Sequence, residues 1–366
     1  MKKIVIICTL DGFANSGLPV EIQSYLEKKG HDVTMVNTIH LNKIILGDRH
    51  LQKGPSVWFA LALNFFVTAL LVLQERYARW TKKYLYYYLI TTNMKCRGYL
   101  LHVYFEHHKF DLIIGESQAD SKFFLYRQNC KTLYHCATPW ADELYYGGEL
   151  TKRQYEKFLD LELRIYKSVT YLAFHWYVYA DYVKKYYYKG DNLFPLDSGC
   201  TVKEYSAKFR SPPRIVYLGY LGGYWINLSL LSRLAKIYPH IDVYGAPPPP
   251  KKYGLNYKGY ASPEILSAYQ FGLITISKDR LRKEGFSAKH MEYLSYGLPV
   301  LMPEWRQNAK HVKGTIMYNE KNFKEVVKKY SAKDAWTKVS RDARRQAQYY
   351  NWDAVLEPLS RILKTL

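Results

Sequence analysis

The feature that most constrains this chain is an alternation of apolar runs and amphipathic stretches that breaks once and then begins again. Residues 3–9 are a continuous apolar run, as a parallel strand buried on both faces requires. The run passes through a loop, residues 11–17, into an amphipathic stretch at 19–28 that predicts a helix, and residues 30–32 turn into a second run at 33–36. Residues 110–115 and 131–136 read as further strands, with a helix near 121–127 between them. After Ser211-Pro212-Pro213 the pattern restarts. Strand 214–218, a glycine-rich loop at 219–223 and helix 227–237 are followed by strands at 242–244, 273–277 and 299–302. Alternating strands and helices imply doubly wound parallel sheets of the α/β class, and the restart predicts two Rossmann-like domains joined near residues 201–213. The first apolar run is too short for a signal peptide and ends in Asp11-Gly12, so it is assigned to the first strand.

Within the second half, KDRLRKEGFSAKHMEYLSYGLPVLMPEW at 278–305 carries the densest chemistry. Glu284 and Glu292 bracket seven residues. Ser287 is placed as the N-cap of a short helix that stops at Gly297 before a strand. The first N–H groups of such a helix, beside Lys289, suit an anion such as a diphosphate, and Arg282 lies just upstream. Glu292 is one helical turn from Lys289, where hydroxyl groups of a sugar could donate to it. An ordinary surface pair of Lys289 with Glu292 is the plainer alternative. Gly219, Gly222 and Gly223 follow a strand and precede a helix, a setting for backbone approach to phosphate or for a plain tight turn; their spacing is not Gly-x-Gly-x-x-Gly.

Together these pieces resemble the nucleotide-sugar-binding half of GT-B glycosyltransferases of the group 1, glycogen-synthase-like superfamily. The resemblance rests on the Glu-x7-Glu spacing, the helix Lys289-x-x-Glu292-Tyr293-Leu294 and the exit Gly297-Leu298-Pro299-Val300. It implies the GT-B fold, two facing Rossmann-like domains with a cleft between them. Residues 1–205 would form the acceptor domain, 206–348 the nucleotide-sugar domain, and 349–366 a terminal helix returning to the first. By the same resemblance Lys289 would hold the diphosphate, Glu292 the ribose and Glu284 the donor-sugar side, while Tyr260 and its neighbours would hold the nucleobase. The helix is also similar to that of inverting enzymes such as the xanthan glucuronosyltransferase, which leaves the stereochemical class open. An inverting enzyme needs a base in the acceptor half. His135 near the end of the 131–136 strand, with Asp142 and Glu143 after it, are the candidates, although the paired acids usual in relatives are replaced by Thr138-Pro139.

The expected activity is hexosyl transfer from a UDP- or GDP-type donor to an acceptor, with no other cofactor. No Asp-x-Asp occurs, so no metal is expected on the diphosphate. A nucleotide-sugar epimerase of the same shape is the alternative enzyme. The net charge of +21 also allows a basic nucleic-acid-binding protein, but no RNP, zinc-finger or arginine-rich segment supports it, and no nucleic acid is expected as a partner. Five scattered cysteines without Cys-x-x-Cys point to a reducing, cytoplasmic setting.

Residues 57–73 are apolar apart from Asn64 and Thr68. As a helix they would span about 26 Å, short of a hydrocarbon core of ~30 Å. A membrane crossing there would also split the first domain. The segment is therefore expected to be a buried helix or, with Arg76, Arg79, Lys82 and Lys83 after it, a monotopic element on an anionic membrane surface. That second reading makes a lipid-linked or membrane-surface glycan the expected acceptor.

Overall fold

A computed structural model describes residues 1–9, 17–48, 50–52, 54–77, 83–204 and 206–366. The loop at 11–16, with Arg79 and Lys82, lies outside the described residues.

The chain forms two compact units, residues 1–197 with 356–366, and residues 198–355. In the first, β1 (Lys3–Cys8) is followed by α1 (Leu18–Lys28), β2 (Asp32–Asn37), α2 (Leu41–Gly47), α3 (Pro55–Tyr77) and α4 (Lys83–His107). Then come β3 (Leu112–Gly115), β4 (Lys131–Cys136), α5 (Trp140–Tyr146), α6 (Lys152–Ser168), β5 (Tyr171–Phe174) and α7 (Tyr177–Tyr186). The strands form one parallel sheet of order β2-β1-β3-β4-β5. The central strands β1 and β3 are buried along nearly their whole length, whereas edge strand β2 alternates. The expected helix near 121–127 is a 3-10 stretch, Gln118–Leu125.

The second unit contains β6 (Ile215–Leu218), α8 (Leu228–Ile237), β7 (Ile241–Tyr244), β8 (Asn256–Tyr257), β9 (Phe271–Leu273), α9 (Arg280–Glu284) and α10 (Ala288–Ser295). It continues with β10 (Val300–Pro303), β11 (Thr315–Tyr318), α11 (Phe323–Tyr330), α12 (Lys333–Tyr349) and α13 (Trp352–Leu356). Its parallel sheet has the order β11-β10-β9-β6-β7-β8. Segment 198–207 belongs with this unit because its backbone pairs there: Cys200 N–H donates to Tyr350 O (2.7 Å) and Ala207 N–H to Tyr296 O (2.7 Å). Pro358 breaks the terminal helix, and α14 (Leu359–Lys364) carries the chain end onto the first sheet. There Lys131 Nζ donates to Thr365 O (2.7 Å) and Lys2 Nζ to Leu366 O (2.5 Å).

One expectation changes, and the core is rich in tyrosine: Tyr134, Tyr166, Tyr179, Tyr182, Tyr188, Tyr269, Tyr293, Tyr296 and Tyr318 are fully buried. α3 is also longer than its apolar run, 23 residues or about 34 Å, so length is no argument against spanning. Among the described residues it is the one helix long and apolar enough to cross a membrane. A single crossing would still place β1 and β2 on the opposite side of a bilayer from β3, which pairs with β1. α3 has two apolar faces. Val57, Ala60, Leu61, Asn64 and Val67 are buried, while Trp58, Phe59, Phe65, Phe66, Val72 and Leu73 are exposed.

Candidate functional site

In the second unit, β6 lies where the strand order reverses, with β9 on one side and β7 on the other. Ligands of open α/β sheets bind outside the carboxyl end of such a strand. Gly219, the first residue past β6, has φ +142°, a conformation that side chains rarely adopt, and a Cβ there would lie 2.5 Å from Lys289 Nζ. The glycine therefore lets the lysine from the first turn of α10 lie against the end of β6. Tyr293, one turn further along α10, fixes this approach, because its hydroxyl accepts the buried Leu218 N–H at 2.9 Å. The Lys289 ammonium sits 3.7 Å from the centre of the Tyr217 ring. Burial pulls its pKa down to about 7 against the opposing charge of Glu292, and among the described residues it has no ion-pair partner. A desolvated lysine at a glycine turn and a helix N-terminus has the chemistry to receive an anion.

The other residues expected at a donor site are spread over the second unit. Glu292 faces the same environment: burial raises its pKa while Lys289 and Lys203 oppose the rise. Ser287 occupies the N-cap of α10 in extended conformation; its hydroxyl makes no capping bond, while its carbonyl accepts the His290 N–H at 2.9 Å. Arg282 donates to the Tyr224 hydroxyl (3.1 Å) and lies over the rings of Tyr224 and Trp225 (5.4 and 5.6 Å), which ties α9 to the loop after β6. Gly223 lies against the Trp225 ring and Gly222 against Tyr220 and Pro247. These two glycines thus accommodate neighbouring side chains, and Gly219 is the loop glycine in contact with Lys289. Glu284 ends α9, where the Asn308 amide donates to its backbone carbonyl (2.8 Å) and approaches its carboxylate (3.4 Å). Arg306, fully buried and unremarked in the sequence, donates to Gly285 O and so pins the turn after Glu284. Tyr260 stands apart at 79% exposure, its turn held by Gly245 N–H donating to Gly259 O (2.9 Å).

In the first unit, Asp142 is completely buried and accepts the hydroxyls of Tyr155 (3.0 Å), Tyr182 (2.9 Å) and Tyr187 (3.1 Å). Its lone pairs are committed to packing three segments together, which leaves them poorly placed for proton abstraction. Glu143 accepts from the Thr138 hydroxyl at the start of α5. Glu162, from α6, accepts the first N–H groups of α5, Trp140 (2.7 Å) and Ala141 (3.1 Å), and burial pushes its carboxyl up to about 7. His135 is buried at the end of β4 with Nδ1 2.7 Å from Glu116 Oε1. Burial alone would raise the Glu116 carboxyl, but His135 and His175 outweigh it and hold the group below its usual range. Neither Glu116 nor His175 belongs to a recognisable motif; the pleat of adjacent strands brings them to His135.

No protein-family model matches the chain, and no curated protein sequence does. The fold is nevertheless that of the GT-B class, each unit being built on a parallel α/β sheet as in solved structures that match the whole chain. It is similar to sucrose-phosphate synthase from Thermosynechococcus elongatus at a TM-score of 0.66 and 13% identity, covering 100% of this chain and 99% of that one. Anabaena HepE, solved with UDP and glucose, gives 0.61 at 11% identity, and the lipopolysaccharide outer core galactosyltransferase WaaB gives 0.59 at 12%, each over 100% of both chains. A UDP-N-acetylglucosamine 2-epimerase is also similar, at 0.50 and 14%, over 99% of this chain and 95% of that one.

Proposed function

We propose that this chain is a nucleotide-sugar-dependent glycosyltransferase that moves a hexosyl group from a UDP- or GDP-type donor to an acceptor. The observation that carries the reading is Lys289, desolvated against Gly219 at the end of β6 in a GT-B fold. A donor diphosphate placed there meets a cation and a helix N-terminus, which stabilise the leaving group without recourse to a metal. Glu292, beside Lys289, is assigned to the ribose hydroxyls and Glu284 to the donor-sugar side. HepE was solved with UDP and glucose and with UDP-glucose, which supports a donor of this class. The epimerase likeness favours a second reading, and acceptor dependence separates the two. Incubated with a panel of UDP- and GDP-sugars, the protein is expected to release nucleoside diphosphate only when a glycan or lipid-linked acceptor is added. Conversion of the donor to its epimer without any acceptor would establish the second reading instead.

The acceptor is assigned to a membrane surface at the cytoplasmic side. Support comes from the exposed stripe of Trp58, Phe59, Phe65, Phe66, Val72 and Leu73 on α3, which the cations Arg76, Arg79, Lys82 and Lys83 follow in sequence. Apolar area anchors such a helix, and each cation adds about 1 kcal/mol near anionic lipid. Co-sedimentation with vesicles should require anionic lipid and weaken as salt rises. Phe65→Ser with Phe66→Ser, which alters only exposed side chains, should abolish it. Full binding by that variant would remove α3 from the account.

A further inference from the structure

The carboxyl edge of the first sheet carries a cluster of titratable side chains. Glu116 directly follows β3, His135 is the penultimate residue of β4 and His175 directly follows β5. Because β3, β4 and β5 are adjacent and parallel, their ends deliver these three side chains to one place. His135 Nδ1 is 2.7 Å from Glu116 Oε1, and His175 Nε2 is 3.3 Å from Glu116 Oε2. One donor atom from each of the three residues lies within 4.8 Å of the other two. The side chains of His135 and Glu116 are 0% and 2% exposed, whereas His175 is 28% exposed.

Packing alone does not account for the arrangement. Glu116 Oε2, His135 Nε2 and His175 Nε2 are all buried, and among the described residues none makes a well-formed hydrogen bond, His175 Nε2 and Glu116 Oε2 meeting only as a close ion pair. An orphaned buried polar atom costs about 1–3 kcal/mol, and folded proteins leave few of them. Here three such atoms belong to one cluster, and two of them confront each other across 3.3 Å. A carboxylate oxygen and an imidazole nitrogen this close, with a ligand atom of His135 within 4.8 Å of both, can serve one ion together.

We propose that Glu116, His135 and His175 bind one divalent transition-metal ion of the zinc type. Two imidazoles with one carboxylate are ligands suited to zinc and cobalt(II), whereas calcium and magnesium favour shells of oxygen atoms. Three protein ligands leave a coordination position open to water or another ligand. The partly exposed His175 marks the side from which it is reached. The three ligands all belong to the first unit. The missing Asp-x-Asp pair concerns only a metal on the diphosphate.

Cobalt(II) is the direct probe, because its ligand-field absorption reports the coordination shell irrespective of activity. Full-length protein stripped with a chelator is expected to take up one Co2+ per chain, with visible absorption bands that Zn2+ abolishes and excess Mg2+ leaves in place. Glu116→Gln and His175→Gln should each weaken Co2+ binding by at least about tenfold. His311→Gln, which changes an exposed histidine of the other unit, should leave it unaltered. Since His175 is partly exposed, its variant keeps the test available should Glu116→Gln fail to fold. Absence of saturable Co2+ binding by the wild-type protein, competition by Mg2+, or undiminished affinity in folded His175→Gln would each overturn the proposal.

Discussion

Asp120→Ala is expected to destabilise the chain by about 3–5 kcal/mol, a large part of the 5–15 kcal/mol typical of a folded domain. Asp120 sits under the carboxyl edge of the first sheet and is 2% exposed. Arg97 of α4, 10% exposed, reaches it with Nε at 2.6 Å and a second nitrogen at 3.1 Å. The Thr38 hydroxyl, just past β2, donates to the same carboxylate at 2.7 Å and accepts from Arg97 at 2.5 Å. The network thus joins the α4 helix, the 118–125 segment and the end of β2. Removing the carboxylate strands a guanidinium in a site too dry to hydrate it, and that penalty exceeds the worth of the intact pair. The apolar double change Arg97→Met with Asp120→Leu should accordingly recover most of the loss. Chemical denaturation of the three variants checks this. A loss below about 1 kcal/mol for Asp120→Ala would mean that the pair is solvated.

Lys289→Ala should weaken nucleoside diphosphate binding roughly ten- to a hundredfold, the range of a charge-assisted bond, and leave nucleoside binding nearly unchanged. The pH dependence has a definite sign. The ordinary lysine value is 10.5, and in the ligand-free protein burial lowers it to about 7. Below that point the ammonium is already charged and a diphosphate meets a cation at no extra cost. Above it the ligand must first recharge the amine, so affinity falls by up to about tenfold per pH unit until the ligand-bound pKa is reached. In Lys289→Ala that dependence should vanish.

The parts of the fold legible in the sequence are those where one segment reports its own environment. The 3–9 run became β1 and the 214–218 run became β6 because strands buried on both faces must be apolar throughout. The Lys289-to-Leu294 helix and its exit were likewise legible, since periodicity and Gly297 at φ +68° are local signals. What stayed hidden depends on partners distant in sequence. Asp142 reads as a candidate base from its place after β4, yet Tyr155, Tyr182 and Tyr187 arrive from two further helices and a turn to occupy it. Glu116 and His175 each follow an unremarkable strand, and only the sheet order brings them to His135. The contact between Gly219 and Lys289 joins two motifs that were legible separately, although their meeting was not.

Calorimetric titration of the full-length protein with UDP, GDP and the matching nucleosides, from about one pH unit below neutrality to about one above it, tests the central claim most directly. The account predicts that the wild-type protein binds one of the diphosphates more tightly than its nucleoside. The advantage should shrink as pH rises through about 7 and should be lost in Lys289→Ala. Equal loss of nucleoside and diphosphate binding in a folded Lys289→Ala, or a wild-type protein that binds neither nucleotide, would contradict it.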